Sequence, residues 1–242
     1  RRAGLAAVRR RLAGVLLTGG AAAAAAAVMV WTDDLLAGPD RDFDRGWLVP
    51  LSGGAVMAAV ALAGYLLAPS VVGQFGVAVG LAFVAPSALD AGGAVDPIPL
   101  GLAYLAIGLV WLVLAERAVW REPVPARIVG SVFVVVGAQI PVGSDSAWVG
   151  YLLTLLVAAA GFAMYVGRRS WPYLAVGVVG VTLAVPEALL DWTEGSLGTA
   201  GVLLVAGVTL LGASLLGLRL RREVAADEAE DVRESRGPAE GA

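Results

Sequence analysis

Residues 180–191 read G-V-T-L-A-V-P-E-A-L-L-D, and residues 80–90 read G-L-A-F-V-A-P-S-A-L-D. In both stretches a glycine stands six residues before a proline, and a short apolar step then leads to an aspartate. A second apolar segment follows each stretch, with Gly101 or Gly201 near its start. We interpret the repeated unit as a membrane hairpin, in which one helix crosses outward, an acidic turn follows and a second helix crosses back.

A fainter third copy lies between these two, with Pro141 four residues before Asp145. The repeat predicts that the two clearer hairpins superpose, with Pro86 on Pro186 and Gly101 on Gly201. Because a proline lacks the amide hydrogen that continues a helix, we expect these prolines to end helices and to shape the turns that follow.

The composition is that of a membrane protein. Hydrophobic residues make up 59% of the 242-residue chain and charged residues 15%, against about 45–50% and about 25% in soluble domains. The excess lies in uncharged runs of about 20 residues, the length that crosses the hydrocarbon core as a helix. The sequence therefore predicts an all-α fold, a polytopic transmembrane helical bundle of about eight helices built from helical-hairpin repeats.

Three segments are predicted along the chain. Residues 1–11 form a basic cytoplasmic segment, residues 12–222 form the eight-helix transmembrane domain, and residues 223–242 form an acidic cytoplasmic tail. The tail is polar and lacks periodicity, so it is expected to be disordered. The four predicted hairpins cover residues 12–67, 70–115, 128–166 and 173–218.

The arginines predict the orientation of the helices. They concentrate at alternate connections, whereas the intervening connections carry the aspartates and only Arg41 and Arg45. Because cytoplasmic loops carry the excess of positive charge, both termini are expected in the cytoplasm of a cell whose plasma membrane the chain spans. The predicted helix ends also place tryptophans at the two membrane surfaces. The outer set is Trp31, Trp47, Trp148 and Trp192, and the inner set is Trp120 and Trp171.

Missing residue types exclude much of enzyme chemistry. The chain has no cysteine and no histidine, and every basic residue is arginine. Thiolate nucleophiles, histidine bases and lysine Schiff bases are thus excluded, and no metal site or cofactor is predicted. The acidic loop of residues 32–46 lacks the glycine and glutamate spacing of a calcium loop. The expected partner is the lipid bilayer, with other membrane proteins or a second copy of the chain left open, and no nucleic acid.

The candidate site is a pair of carboxylates beside a proline. Glu187 and Asp191 stand four residues apart on one predicted helix and share a face, and Pro186 frees a backbone carbonyl nearby. Such groups can bind a cation or pass a proton, and an ionisable residue within a membrane is a functional candidate. Gln139, a polar residue in another span, is the third candidate. The alternative is that both carboxylates lie close enough to the outer surface to be hydrated.

The hairpin array and two short phrases carry a family resemblance. The phrases are R-S-W-P-Y at residues 169–173 and L-R-L-R-R-E at residues 218–223. In these features the chain resembles predicted bacterial multi-pass membrane proteins of unknown function. The resemblance implies the membrane fold and no particular activity.

The sequence favours a non-enzymatic function. The kinked repeats and Glu187 favour a transporter-like unit, and the scarcity of charge within the spans favours an accessory membrane subunit. The alternative is a membrane-embedded enzyme that uses aspartate and glutamate chemistry.

Overall fold

A computed structural model describes residues 2–37, 45–94, 96–193 and 198–236, and within them the chain is helical and contains no strand. This confirms the all-α prediction. The helices in order are α1 Arg2–Leu36, α2 Leu48–Leu67, α3 Val71–Ala91, α4 Pro97–Glu116, α5 Pro123–Gln139, α6 Ala147–Arg168, α7 Trp171–Trp192 and α8 Gly198–Arg236. A 3₁₀ turn, Ile140–Gly143, follows α5. Residues 38–44 of the acidic loop, with three of its five aspartates, lie outside the described residues.

Seven of the described helices are long and apolar enough to cross a membrane. They are α1 from Leu12 onward and α2 to α7, the last of the spanning segments being Trp171–Trp192. The described apolar part of α8, Leu203–Arg219, is shorter than the about 20 residues that a span requires. The protein is therefore an integral membrane protein with multiple apolar helices.

Helices α1 and α8 extend into the two end segments of the chain. Helix α1 begins at Arg2, within the predicted basic segment, and α8 continues to Arg236, past residue 223, where the predicted tail begins. The extension of α8 has a physical reason, since residues 223–236 are rich in alanine, glutamate and arginine, which have high helix propensity. Gly237 and Pro238, which disfavour helix, come next in the sequence. Residues 237–242 lie outside the described part.

The chain divides into two compact units, Arg1–Ser144 and Asp145–Ala242, and each is described by itself. The boundary falls between the two helices of the predicted hairpin 128–166, and the grouping of these helices stays a prediction. In the first unit α2 packs closely on α3, α4 packs closely on α5, and α1 packs on α2. Helix α3 touches α4 much less, although residues 70–115 were predicted to be a hairpin. The tightest pairs, α2–α3 and α4–α5, are therefore connected by residues 68–70 and 117–122. Along the chain these connections alternate with the acidic turns, which were predicted to join the helices of each hairpin.

Glycines account for the tight pairs of the first unit. A Cβ atom added at Gly80 in α3 would lie 2.7 Å from the carbonyl oxygen of Gly54 in α2 and would also collide with the backbone of Ala58. Between α4 and α5, a Cβ at Gly137 would lie 2.7 Å from the carbonyl oxygen of Gly101. Apolar surface gives no driving force for helix association in lipid, so close backbone contact at small residues supplies the packing energy.

The second unit repeats the α2–α3 contact in α6 and α7. A Cβ at Gly180 would lie 2.8 Å from the Cβ of Ala158 and 3.3 Å from the carbonyl oxygen of Thr154. These three residues stand 100 positions after Gly80, Ala58 and Gly54, the residues of the α2–α3 contact. A similar close contact thus occurs in α2–α3 and in α6–α7, at a spacing of 100 residues. Gly101, which was expected to match Gly201, packs instead on α5.

Two of the three prolines do not end helices as we expected, since Pro86 lies inside α3 and Pro186 inside α7. Pro141 lies in the 3₁₀ turn that follows the end of α5, as expected. A proline leaves the carbonyl four residues earlier without its helical donor, which for Pro86 is the carbonyl of Ala82. The hydroxyl of Tyr104 in α4 donates a 2.6 Å hydrogen bond to this oxygen. The proline therefore creates an acceptor that connects α3 to α4.

One tryptophan departs from the predicted surface belt. Trp31, Trp148, Trp171 and Trp192 are exposed, as residues that face a membrane interface would be. Trp120, predicted at the inner surface, is buried among aromatic rings. The sequence places Trp120 next to arginines in a connection, and this favoured an interfacial side chain. The connection instead folds onto the helices, and the indole packs on Trp111 of α4.

Candidate functional site

The two candidate carboxylates lie near the end of α7. Glu187 is half-buried, and Asp191, one turn later, is exposed. Pro186 precedes Glu187 within the same helix and is buried. The helix thus continues through the proline and presents one carboxylate in the packed part of the second unit and the other outside it.

Packing between α6 and α7 determines which residue faces Glu187. Ala158 contacts Gly180, and Gly161 faces Gly177 with a built Cβ only 2.9 Å from its amide nitrogen. The two helices are antiparallel, so each step back along α6 corresponds to a step forward along α7. Tyr151, seven residues before Ala158, therefore lies at the level of Glu187, seven residues after Gly180.

Tyr151 brings a phenol to the two carboxylates. Its residue is 8% exposed, so the ring is packed inside the second unit. The phenol also lies within electrostatic range of both Asp191 and Glu187. A buried tyrosine hydroxyl normally finds a hydrogen-bond partner, and a carboxylate is a strong acceptor. The sequence did not single out Tyr151, because the residue becomes part of the site only through the α6–α7 register.

Thr154 adds a second hydroxyl one turn along α6 from Tyr151. It is 0% exposed, and its Oγ1 has no hydrogen-bond partner among the described residues. Buried hydroxyls are usually paired, so this atom is unusual. Close packing explains the burial, because Thr154 lies where the built Cβ of Gly180 approaches its backbone. Tyr151, Thr154 and Glu187 thus give the site two hydroxyls and a half-buried carboxylate.

Pro186 supplies a further acceptor, the carbonyl of Thr182, which loses its helical donor. In the first unit the equivalent carbonyl of Ala82 is bonded by Tyr104. The residue 100 positions after Tyr104 is Leu204, which is exposed and has no hydrogen-bond donor in its side chain. The repeat therefore keeps the proline-freed carbonyl in the second unit and replaces the tyrosine that satisfies it in the first.

Gln139, the third predicted site residue, lies at the end of α5 in the first unit and is half-buried. Glu187 and Asp191 belong to the second unit. The structure thus groups the two carboxylates with Tyr151 and Thr154, and the inclusion of Gln139 in one site with them stays a prediction.

Thr154 offers a test of whether its hydroxyl has a structural role. We expect Thr154→Val to keep the shape and to raise the free energy of unfolding by about 1 kcal/mol, because it removes a buried hydroxyl that has no partner. Thr182→Val is the control, since the Thr182 hydroxyl donates a 2.7 Å bond to the carbonyl of Val178. Denaturant titration in detergent micelles measures both. If Thr154→Val lowers the free energy of unfolding more than Thr182→Val does, the Thr154 hydroxyl makes a stabilising hydrogen bond and the prediction is wrong.

No protein-family model matches this chain, and neither the curated proteins nor the solved structures include one that is similar to it. The chemistry of the site is therefore argued from its own residues.

Proposed function

We propose that this integral membrane protein is a transporter-like unit in which Glu187 takes up and releases a proton, with Tyr151 as its hydrogen-bonding neighbour. The observation that carries the proposal is the α6–α7 register, which sets a buried phenol against a half-buried carboxylate. Such a pair can hold a proton at either oxygen, and exposed Asp191 one turn away provides a step toward water.

The repeat supports transport over a purely structural role. Two helix pairs of the same build, α2–α3 and α6–α7, recur within one chain, and parallel repeats are common in membrane transporters. The two copies differ at the position after the proline, where Ser87 in α3 corresponds to Glu187 in α7. The hydroxyl of Ser87 donates a 2.8 Å bond to the carbonyl of Phe83 in its own helix. The carboxylate is thus an addition to the shared framework at one copy.

The proposal includes an orientation in the plasma membrane. The arginine pattern places both termini in the cytoplasm, and residues 68–70, 117–122 and 169–170 connect tight helix pairs on that side. Glu187 and Asp191 then lie toward the outer surface. A proton can reach Asp191 from the exterior before it reaches Glu187.

Proton uptake by proteoliposomes tests this function. The purified chain is reconstituted in vesicles that contain a pH-sensitive dye, and a potassium diffusion potential, negative inside, is imposed with valinomycin. We expect the lumen to acidify faster than in protein-free vesicles, and faster when the external medium is acidic. Uptake equal to that of protein-free vesicles, with and without sodium or another counter-transported ion in the lumen, would contradict the proposal.

A further inference from the structure

A buried polar cluster lies in the first unit, beneath the connection between α4 and α5. Gln74 of α3 is 0% exposed, Trp111 of α4 is 4% exposed and Trp120 of the connection is 7% exposed. Glu122, two residues after Trp120, is half-buried. These four residues, called the indole cluster below, come from three parts of the fold and take no part in the proposed proton site.

Ring stacking and hydrogen bonds join the cluster into one structure. The rings of Trp111 and Trp120 stack with centroids 4.6 Å apart, and Tyr65 packs edge-on against Trp120 at 5.1 Å. The amide Nε2 of Gln74 donates to the backbone carbonyl of Glu122 at 3.4 Å. The backbone N–H of Arg121 donates to the Tyr65 hydroxyl at 2.8 Å. The connection is thus held down on α2, α3 and α4 by both aromatic packing and hydrogen bonds.

The indole cluster contains buried hydrogen-bonding atoms that no described residue satisfies. Four of its buried atoms have no partner among the described residues: Gln74 Oε1, Glu122 Oε2, Trp111 Nε1 and Trp120 Nε1. Two of these atoms are acceptors and two are indole donors. A buried polar group without a partner costs about 1–3 kcal/mol, so four in one cluster are unlike the usual native interior.

The chemistry of these atoms restricts the ligand. The carboxylate and amide oxygens require donors, and the aromatic faces around them favour a cationic group. The indole N–H groups require an acceptor, which a bare metal ion or a simple alkylammonium ion does not provide. Arg127, five residues after Glu122 in the chain, pairs with Glu116 at 2.7 Å, and the Glu122 carboxylate contributes a negative charge to the cluster.

We propose that the indole cluster binds a small amine that also carries an oxygen acceptor, such as an amino acid or an amino alcohol. The ammonium group donates to Gln74 Oε1 and Glu122 Oε2, and the oxygen of the ligand accepts from the indoles of Trp111 and Trp120. Aromatic walls with a few convergent polar groups are typical of small-molecule sites. The site belongs to the first unit and does not depend on proton exchange at Glu187.

Intrinsic tryptophan fluorescence of the full chain in detergent tests the site, because two of its ligand-binding groups are indoles. The probes are glycine and ethanolamine, and the controls are methylammonium, which has no acceptor, and acetate, which has no donor. We expect a saturable change in emission with glycine or ethanolamine, at least about tenfold weaker binding of both controls, and loss of the change in Trp111→Phe.

Variants without a change in the fluorophores complete the test. Glu122→Gln should weaken binding by about tenfold or more, since it removes the charge that meets the ammonium group, and Gln74→Leu should weaken it similarly. Asp90→Asn, at an exposed carboxylate of α3, should bind as the unmodified chain does. If neither glycine nor ethanolamine gives a saturable change in emission, the proposal is wrong, and water alone satisfies the four unpaired atoms. Equal binding in Glu122→Gln and Asp90→Asn, or equal binding of acetate or methylammonium, would also overturn it.

Discussion

Replacing Glu187 with glutamine is expected to abolish the acidification of proteoliposomes while the protein stays folded. The amide occupies nearly the same volume as the carboxyl group, but it does not take up or release a proton. Its burial also costs less than that of an ionised carboxylate, so the half-buried position tolerates the change. Proton uptake is measured with the dye-loaded vesicles described above, and folding is measured by circular dichroism and size-exclusion chromatography of the same preparation.

Two further variants rank the contributions around Glu187. Asp191→Asn changes an exposed group and should retain most of the uptake rate. Tyr151→Phe removes the hydroxyl and leaves the ring. We expect about a tenfold lower uptake rate, which is smaller than the roughly 100-fold or greater loss typical when a positioned proton donor or acceptor is removed. If folded Glu187→Gln transports protons at the rate of the unmodified chain, or if Asp191→Asn alone loses activity, Glu187 is not the proton-exchanging group.

The second large effect is expected from Gly80→Ala, which should destabilise the fold by about 1–3 kcal/mol. The added methyl group would lie 2.7 Å from the Gly54 carbonyl oxygen and would collide with the Ala58 backbone. Neither contact can be relieved by rotating a side chain, so α2 and α3 must separate. The free energy of unfolding is measured by denaturant titration in mixed micelles.

Two glycines serve as graded controls for Gly80→Ala. Gly180→Ala should cost less, because its nearest contact is the Cβ of Ala158 at 2.8 Å and the nearest backbone oxygen lies at 3.3 Å. Gly20→Ala has nothing within 4 Å of the new methyl group. It should raise stability by roughly 0.5–1 kcal/mol, since alanine favours helix over glycine. Equal destabilisation by all three variants would show that backbone contact is not what stabilises the pairs.

Much of the fold follows from the sequence because the bilayer restricts what it can be. Long uncharged runs in a bilayer must be helical, since a helix satisfies its own backbone hydrogen bonds. The repeat of Gly80 and Pro86 at Gly180 and Pro186 was visible as well. The pairing of the helices could not be predicted, because the repeated stretches at residues 80–90 and 180–191 each mark only one helix of a pair. The partner is decided by small residues on the other helix, such as Ala58 and Ala158.

The candidate site was predictable in part for a related reason. Glu187 and Asp191 stand out as charges beside an apolar run, and their spacing places them on one helix face. Tyr151 and Thr154 are ordinary residues of an apolar helix until the α6–α7 register brings them opposite α7. The indole cluster was missed because Trp120 lies among arginines in a connection, a position that is typical of a surface side chain. Only the packed connection shows that it is buried.

The central proposal is that the connections within α2–α3 and α6–α7, residues 68–70 and 169–170, both lie in the cytoplasm, and cysteine labelling in cells tests it most directly. The chain has no cysteine, so each single substitution reports one site. Pro69→Cys, Arg117→Cys and Arg169→Cys should react with a membrane-impermeant maleimide only after the cells are permeabilised, and Gly92→Cys and Asp145→Cys should react in intact cells. Labelling of Pro69→Cys and Arg169→Cys from opposite sides of the membrane would contradict the account.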